Sequence, residues 1–152
     1  MKLRPALMDD AEIVLEWRND ETTRNNSFSK DIISPDVHKK WYQGKLEDKS
    51  CLMLIMEDGN KKVGQLRIDR IDDIGSLSCM IAPSSRGQGY GKQMVAMCEA
   101  VLPEGINALV GFVEEQNISS KKCFINNGYS EVIAGNISCF IKLMGKTGTM
   151  TV

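Results

Sequence analysis

Apolar and polar positions along the chain change period several times, and the changes mark its elements. Residues 51–56, Cys-Leu-Met-Leu-Ile-Met, form a continuous apolar run of strand length. Asp58-Gly59-Asn60 predicts a hairpin turn into a strand over 62–69. In that strand Val63, Leu66 and Ile68 break strict alternation, which predicts a bulge near Gly64. Asp72-Asp73 turns the chain into a further strand over 75–81. Upstream, residues 2–6 read as a short strand. Asp9 or Asp10 then caps a helix to about Arg18, with Ile13, Val14 and Trp17 as its apolar stripe. Residues 19–33 are polar and read as loop. Ser34-Pro35 joins a capping side chain to a proline at the first helical position and starts a helix to Glu47, with Val37, Trp41 and Leu46 inward.

Beyond the third strand of this central group, Tyr90, Met94, Met97, Cys98 and Val101 recur at helical spacing. They predict a helix over 91–102, stopped by Pro103 and Gly105. A strand follows over 109–113, then a helix over 117–127 that Gly128 ends. Residues 129–133 and 137–143 form a last hairpin around Gly135-Asn136. The order β-α-α-β-β-β-α-β-α-β-β implies a mixed sheet with helices on its faces, an α/β or α+β architecture. Residues 1–144 read as one domain and residues 145–152, polar and glycine-rich, as a flexible tail.

Composition narrows the function. The 152 residues carry a net charge of -1, with 42% hydrophobic and 26% charged residues. That balance leaves no electrostatic footprint for nucleic acid or a membrane surface. No apolar run approaches the roughly 20 residues of a membrane span. Lys2 and Arg4 are followed by Asp9 and Asp10, not by the apolar core of a signal peptide. The five cysteines are widely spaced, form no CxxC pair and accompany a single histidine, His38. No metal site is expected, and the cysteines read as reduced, buried residues of a cytoplasmic protein.

The run Arg86-Gly87-Gln88-Gly89-Tyr90-Gly91-Lys92 lies between a predicted strand and a predicted helix. Glycines there let the backbone approach a ligand and aim several N–H groups at one point, at the positive end of a helix dipole. The expected ligand is a pyrophosphate. A dinucleotide fingerprint needs a glycine where Lys92 stands, and a Walker A loop needs Ser or Thr where Gln93 stands. Gly145-Lys146-Thr147 lacks the upstream glycine of such a loop.

Arg86, Gly89 and Gly91 remain as Arg-x-x-Gly-x-Gly, and this resembles the phosphate loop of the GNAT superfamily of acetyl-CoA-dependent acetyltransferases. Asn117, Ser120, Phe124 and Gly128-Tyr129 resemble a second motif of that superfamily. The resemblance implies a mixed, mostly antiparallel sheet with a splayed central strand pair, flanked by about four helices. It implies that Arg86, Gly87, Gln88, Gly89, Tyr90, Gly91 and Lys92 hold the CoA pyrophosphate. Cys79, Met80 and Ile81 would pair with the pantetheine arm, and Asn117 and Ser120 would face it from the other side. The reaction would be direct attack of an amine on the thioester, without a covalent enzyme intermediate. Many relatives carry a glutamate at the position of Phe112 and a tyrosine acid at that of Phe124. Neither phenylalanine transfers a proton. Glu114 shares strand parity with Phe112 and is the first candidate base; His38, with its unperturbed pKa near neutrality, is the second. Ser119, Ser120 and Cys123 are weaker candidates near the leaving thiolate.

For the acceptor, Trp17-Arg18-Asn19-Asp20, Arg24, Ser27-Phe28, His38, Trp41 and the stretch 64–69 resemble GNAT enzymes acting on UDP-4-amino sugars of pseudaminic-acid-type pathways. Trp17, Arg18, Asn19, Arg24 and Trp41 are the substrate-binding candidates: guanidinium for phosphate, ring faces for sugar or uracil. Equally open are tryptophans that anchor the core and arginines that are surface charges. Two alternatives stand beside the sugar nucleotide: a protein N-terminus, as in ribosomal-protein acetyltransferases, and an inactive CoA-binding module. A homodimer is allowed for.

Overall fold

The apolar middle of the chain folds as an antiparallel meander of Cys51–Asp58 (β2), Lys61–Ile71 (β3) and Ile74–Ile81 (β4). The structure is a computed structural model and describes residues 1–145; all but the first residue of the predicted tail over 145–152 lie outside the described residues. The expected bulge is present. Met56 faces Gly64 while Glu57 faces Lys62, so Val63 is the extra residue. Gly64 is required beside it: a Cβ there would lie 2.5 Å from the Met80 carbonyl oxygen and 2.7 Å from Met94 Cε.

Four more strands extend the sheet. Lys2–Pro5 (β1) pairs with β2, and Ala108–Glu114 (β5) runs parallel to β4. Ile137–Leu143 (β7) joins β5, and Ser130–Ala134 (β6) forms the far edge. The order is β1-β2-β3-β4-β5-β7-β6. Among the described residues five α-helices cover it: Ala11–Asn19 (α1), Glu21–Asn25 (α2), Pro35–Glu47 (α3), Tyr90–Cys98 (α4) and Ile118–Ile125 (α5). On one face α4 and α5 bury Leu54, Met56, Leu66, Leu109 and Phe140. On the other, α1 and α3 close over Met53 and Ile55 with Val14, Trp17 and Tyr42.

Asp10 fixes how the N-terminus enters this second layer. It is buried, and its carboxylate accepts from Arg4 at 2.8 and 2.9 Å, from the Leu7 N–H at 2.8 Å and from Lys62 at 2.8 Å. One side chain thereby joins β1, the start of α1 and β3.

Three expectations are corrected. Residues 19–33 are not all loop, because α2 lies among them. Asp20 caps it by accepting the Thr23 N–H at 3.2 Å, and the helix buries none of its five residues, so it has no apolar period to read. In α3 the inward side is turned by one residue: Val37 and Trp41 are 62% and 39% exposed, whereas His38 and Tyr42 are buried. Only Leu46 of the expected stripe packs inward. Third, α4 ends at Cys98 and the chain tightens into a 3-10 turn, Glu99–Val101, which leaves Val101 at the surface.

The central pair β4–β5 splays, as the resemblance implies. Its register holds only at Ile74↔Ala108, Gly75↔Leu109 and Ser76↔Val110. Beyond these rows β4 stays with β3 as far as Ile81, and β5 stays with β7 as far as Glu114. A gap opens between two strands that are each held on their outer side.

Candidate active site

The gap exposes a particular set of backbone groups. Ala82 donates its N–H to the Val63 carbonyl at 2.8 Å, continuing the β3–β4 register. Antiparallel alternation then directs the N–H and C=O of Ser78 and Met80 to β3 and those of Cys79 and Ile81 into the gap. An extended ligand arm finds one strand edge there, with donors and acceptors already in line.

The glycine loop stands at the end of that edge. Gly87 and Gly89 have φ of 74° and 82°, and a Cβ at either would meet nothing within 4 Å. Both take a conformation that suits glycine, and both face open space in front of the first turn of α4. That turn contains no acidic residue. Loop and edge together fit a phosphate joined to an extended chain. Gly91 has a different task. Its φ is ordinary, and a Cβ there would lie 2.9 Å from Cys123 Sγ, so it lets α4 approach α5. The Tyr90 hydroxyl donates to Asp58 at 2.5 Å, which raises its pKa. Gln88 and Lys92 are exposed.

The Arg86 side chain points elsewhere than to a phosphate. Its guanidinium donates to Asp20 Oδ2 and Thr23 Oγ1, both at 2.7 Å, and so ties the glycine loop to α2. The Arg86 hydrogen bond in turn lowers the pKa of Asp20.

Across the gap, Asn117 caps α5, its Oδ1 accepting the Ser120 N–H at 3.3 Å. The Ser120 N–H thereby holds the Asn117 side chain in place. Glu114, two residues beyond the exposed Phe112, ends β5. Lys30 Nζ lies 3.0 and 3.1 Å from its two carboxylate oxygens, and Gln116 Nε2 also donates to it. Phe28, Glu114, Glu115, Gln116, Asn136 and Ile137 line an open cleft of about 610 Å³ here.

Phe124 belongs to the core. It stacks on Phe140 at 5.1 Å and meets Tyr129 edge-on at 5.1 Å. Its ring runs against Gly111, where a Cβ would lie 2.4 Å from the ring Cζ. A hydroxyl at Cζ would have to be accommodated beside the Gly111 backbone. Phe124→Tyr is expected to cost about 1–3 kcal/mol of stability by overpacking and to give no gain in turnover; urea melts and CoA-release assays on the variant check both.

His38 is corrected as a base. It is 4% exposed between α1 and α3, with Nε2 2.8 Å from the Ala11 carbonyl oxygen, and burial lowers its pKa. Trp17, 5% exposed, is a core anchor and does not reach the cleft. The other acceptor candidates fasten the segment over 26–33. Arg18 donates to Ser29 O at 2.7 Å. Asn19 bonds both the C=O and the N–H of Ile33 at 2.9 Å, and Arg24 donates to Asn19 O at 3.0 Å and Lys30 O at 3.3 Å. Trp41 alone keeps an exposed ring, with the Arg67 guanidinium 5.1 Å from its centroid. Lys30 and the Arg86–Asp20 link carry no sequence signal; each partner lies in a polar stretch far from the other.

Residues 1–130 match the family described as Acetyltransferase (GNAT) domain. The chain belongs to the GNAT acetyltransferase family. It is an acyltransferase enzyme. Among solved structures, a domain from Methanocaldococcus jannaschii superposes with TM-score 0.82 at 18% identity, covering 94% of this chain and 97% of its own. A spermidine N-acetyltransferase from Vibrio cholerae, in complex with CoA and spermine, gives 0.81 at 16% identity over 93% and 94%. A ribosomal-protein-alanine N-acetyltransferase from Brucella melitensis gives 0.78 at 18% over 95% and 100%. No curated protein matches the chain in sequence. Among the described residues of this acetyltransferase, no helix is long and apolar enough to cross a membrane.

Proposed function

We propose that this acetyltransferase moves an acetyl group from acetyl-CoA directly to a primary amine, and that the amine is carried on a nucleotide-linked amino sugar. The observation that carries the reading is the half-paired β4–β5 junction, with the glycine loop at one end and Glu114 at the other. The amides of residues 87–92 receive the pyrophosphate, and Cys79 and Ile81 pair with the pantetheine arm. A backbone N–H of that edge also polarises the thioester carbonyl. Asn117 offers its Nδ2 donors, which have no partner among the described residues. Glu114 takes a proton from the attacking nitrogen. Phe124 stands where the resemblance places a tyrosine acid for the departing sulfur and has no proton to give; proximity of amine and thioester supplies much of the rate.

The Trp41–Arg67 pair supports the sugar nucleotide. Arg67 and Ser78 share a row of the β3–β4 register, and their sheet face is also that of Phe112 and Glu114. An exposed ring and a guanidinium on one surface suit a sugar or base and a phosphate. A protein N-terminus is the second reading, favoured by the two carboxylates, Glu114 and Glu115, at the cleft. The five cysteines are free, in keeping with a reducing cytoplasmic setting.

CoA release measured with UDP-4-amino sugars, N-terminal peptides and spermidine tests the reading. Preference for the sugar nucleotide supports it; no release from any amine, despite tight acetyl-CoA binding, overturns it in favour of an inactive module. Glu114→Gln is expected to lower kcat/KM by about 10²-fold, the lower bound for loss of a positioned base. Its acetyl-CoA affinity, read by calorimetry, stays unchanged.

A further inference from the structure

Lys30 reaches the end of β5 from the segment between α2 and α3. Its ammonium donates to Asn25 O and Ser27 O, each at 2.9 Å, as well as to both oxygens of Glu114 at 3.0 and 3.1 Å. Two carbonyls and one carboxylate thus converge on a single –NH₃⁺ group. The two carbonyls sit in a turn held by bonds that do not involve Lys30. The Asn26 N–H donates to Thr22 O at 3.2 Å, the Ser27 N–H to Arg24 O at 3.1 Å, and Ser27 Oγ to Thr23 O at 2.6 Å. Glu114 is held by its pairing with Ile137 and is only 14% exposed in its side chain, whereas the Lys30 side chain is 52% exposed. The carbonyls of this cage thus keep their supports when Lys30 leaves, and the lysine is the more exposed member of the pair.

The cage also stands in the right place. The parallel register Ser76↔Val110, carried forward along both strands, brings Glu114 level with Met80, between the free edges of Cys79 and Ile81. Phe28 and the open cleft lie beside it. We infer that the oxygens of Asn25, Ser27 and Glu114 form the binding site for the primary ammonium of the acceptor, and that Lys30 occupies it until an acceptor displaces it. This rests on the N-acetyltransferase reading above. The site selects groups with several N–H donors and rejects a quaternary ammonium. From it the transfer balances. The ammonium gives a proton to Glu114, its lone pair forms the C–N bond, and the C–S bond breaks with its electrons leaving on sulfur. The second nitrogen proton goes to solvent and the thiolate regains one.

Lys30→Ala vacates the cage, and n-butylammonium, the free form of the lysine side chain, probes it. The melting temperature of the variant is expected to rise with millimolar n-butylammonium. Wild type is expected to need about fivefold more n-butylammonium for the same rise, the Lys30→Ala/Glu114→Gln double variant to show none, and tetramethylammonium to have no effect. In the same variant n-butylamine is acetylated, with a KM about fivefold below wild type, the factor that corresponds to a displaced exposed ion pair. If the alanine variant does not fold, Lys30→Gln serves for both readings. The cage is overturned by absence of the shift, by an equal shift in the double variant, or by a shift without acetylation of n-butylamine while other amines turn over. A shift without CoA release from any amine leaves an ammonium site standing and overturns the activity reading instead.

Discussion

Gly89→Val is expected to abolish measurable acetyl-CoA binding while the chain still folds. Gly89 has φ of 82° and precedes the first turn of α4. A β-branched residue in that conformation costs about 1–3 kcal/mol, so relaxation of the loop re-aims the neighbouring N–H groups. A Cβ there meets nothing within 4 Å, so the new side chain fits the protein and stands in the space proposed above for the phosphate. Losing two charge-assisted bonds at about 1.5–3 kcal/mol each lowers affinity by roughly 10²- to 10⁴-fold. Gly91→Ala gives the contrast. It presses on Cys123 between α4 and α5, so it lowers stability more than affinity. Calorimetric titration and thermal melts on the two variants check this; equal loss of CoA affinity in both would contradict the division of labour between these glycines.

Asp10→Ala is expected to be the most destabilising single change outside the apolar core, by about 3 kcal/mol, the lower end for breaking a buried ion pair. It strands Arg4 and Lys62 and frees the Leu7 N–H, although Arg4 keeps Glu57 at 2.6 Å. Burial pushes the Asp10 carboxyl up, but the hydrogen bonds from Arg4, Lys62 and the Leu7 N–H outweigh it and hold the pKa well below the usual carboxylate range. The sign follows. A carboxyl with a depressed folded pKa contributes its full stability above the unfolded value of about 3.9. That contribution fades as pH falls through the window below it. The stability difference between wild type and Asp10→Ala should therefore be constant from neutral pH down to about 4 and shrink below. Urea melts at a series of pH values measure it; a difference that stays constant below a pH of about 4 would show that Asp10 acts by packing alone.

The strands and the glycine loop were legible because their signals are local. Asp58-Gly59-Asn60, Gly135-Asn136 and the bulge at Val63 announce themselves within a few residues. The acceptor side was not legible in the same way. The helix α2 is five polar residues with a cap and no buried face. In α3 the side chains of Val37 and Trp41 outrank His38 on hydropathy, yet His38 goes inside because the Ala11 carbonyl, 27 residues earlier, receives its ring nitrogen. Trp17 was read both as a sugar contact and as a core anchor, and only its packing between α1 and the sheet separates the two. The links Arg86–Asp20 and Lys30–Glu114 join residues 66 and 84 positions apart. Charged residues in polar stretches have no period, so their pairing exists only once the fold has brought them together.

The unfinished junction between β4 and β5 reaches beyond the chemistry. On the proposed reading, acetyl-CoA adds an extended backbone to an open strand edge, and so contributes to the sheet as well as to the reaction. A ligand that binds only the folded state raises stability by about 2.7 kcal/mol at a hundred times its dissociation constant. The persistence of this protein then depends on metabolic state: when activated acetyl groups are scarce, the catalyst that spends them becomes the easier target for proteases.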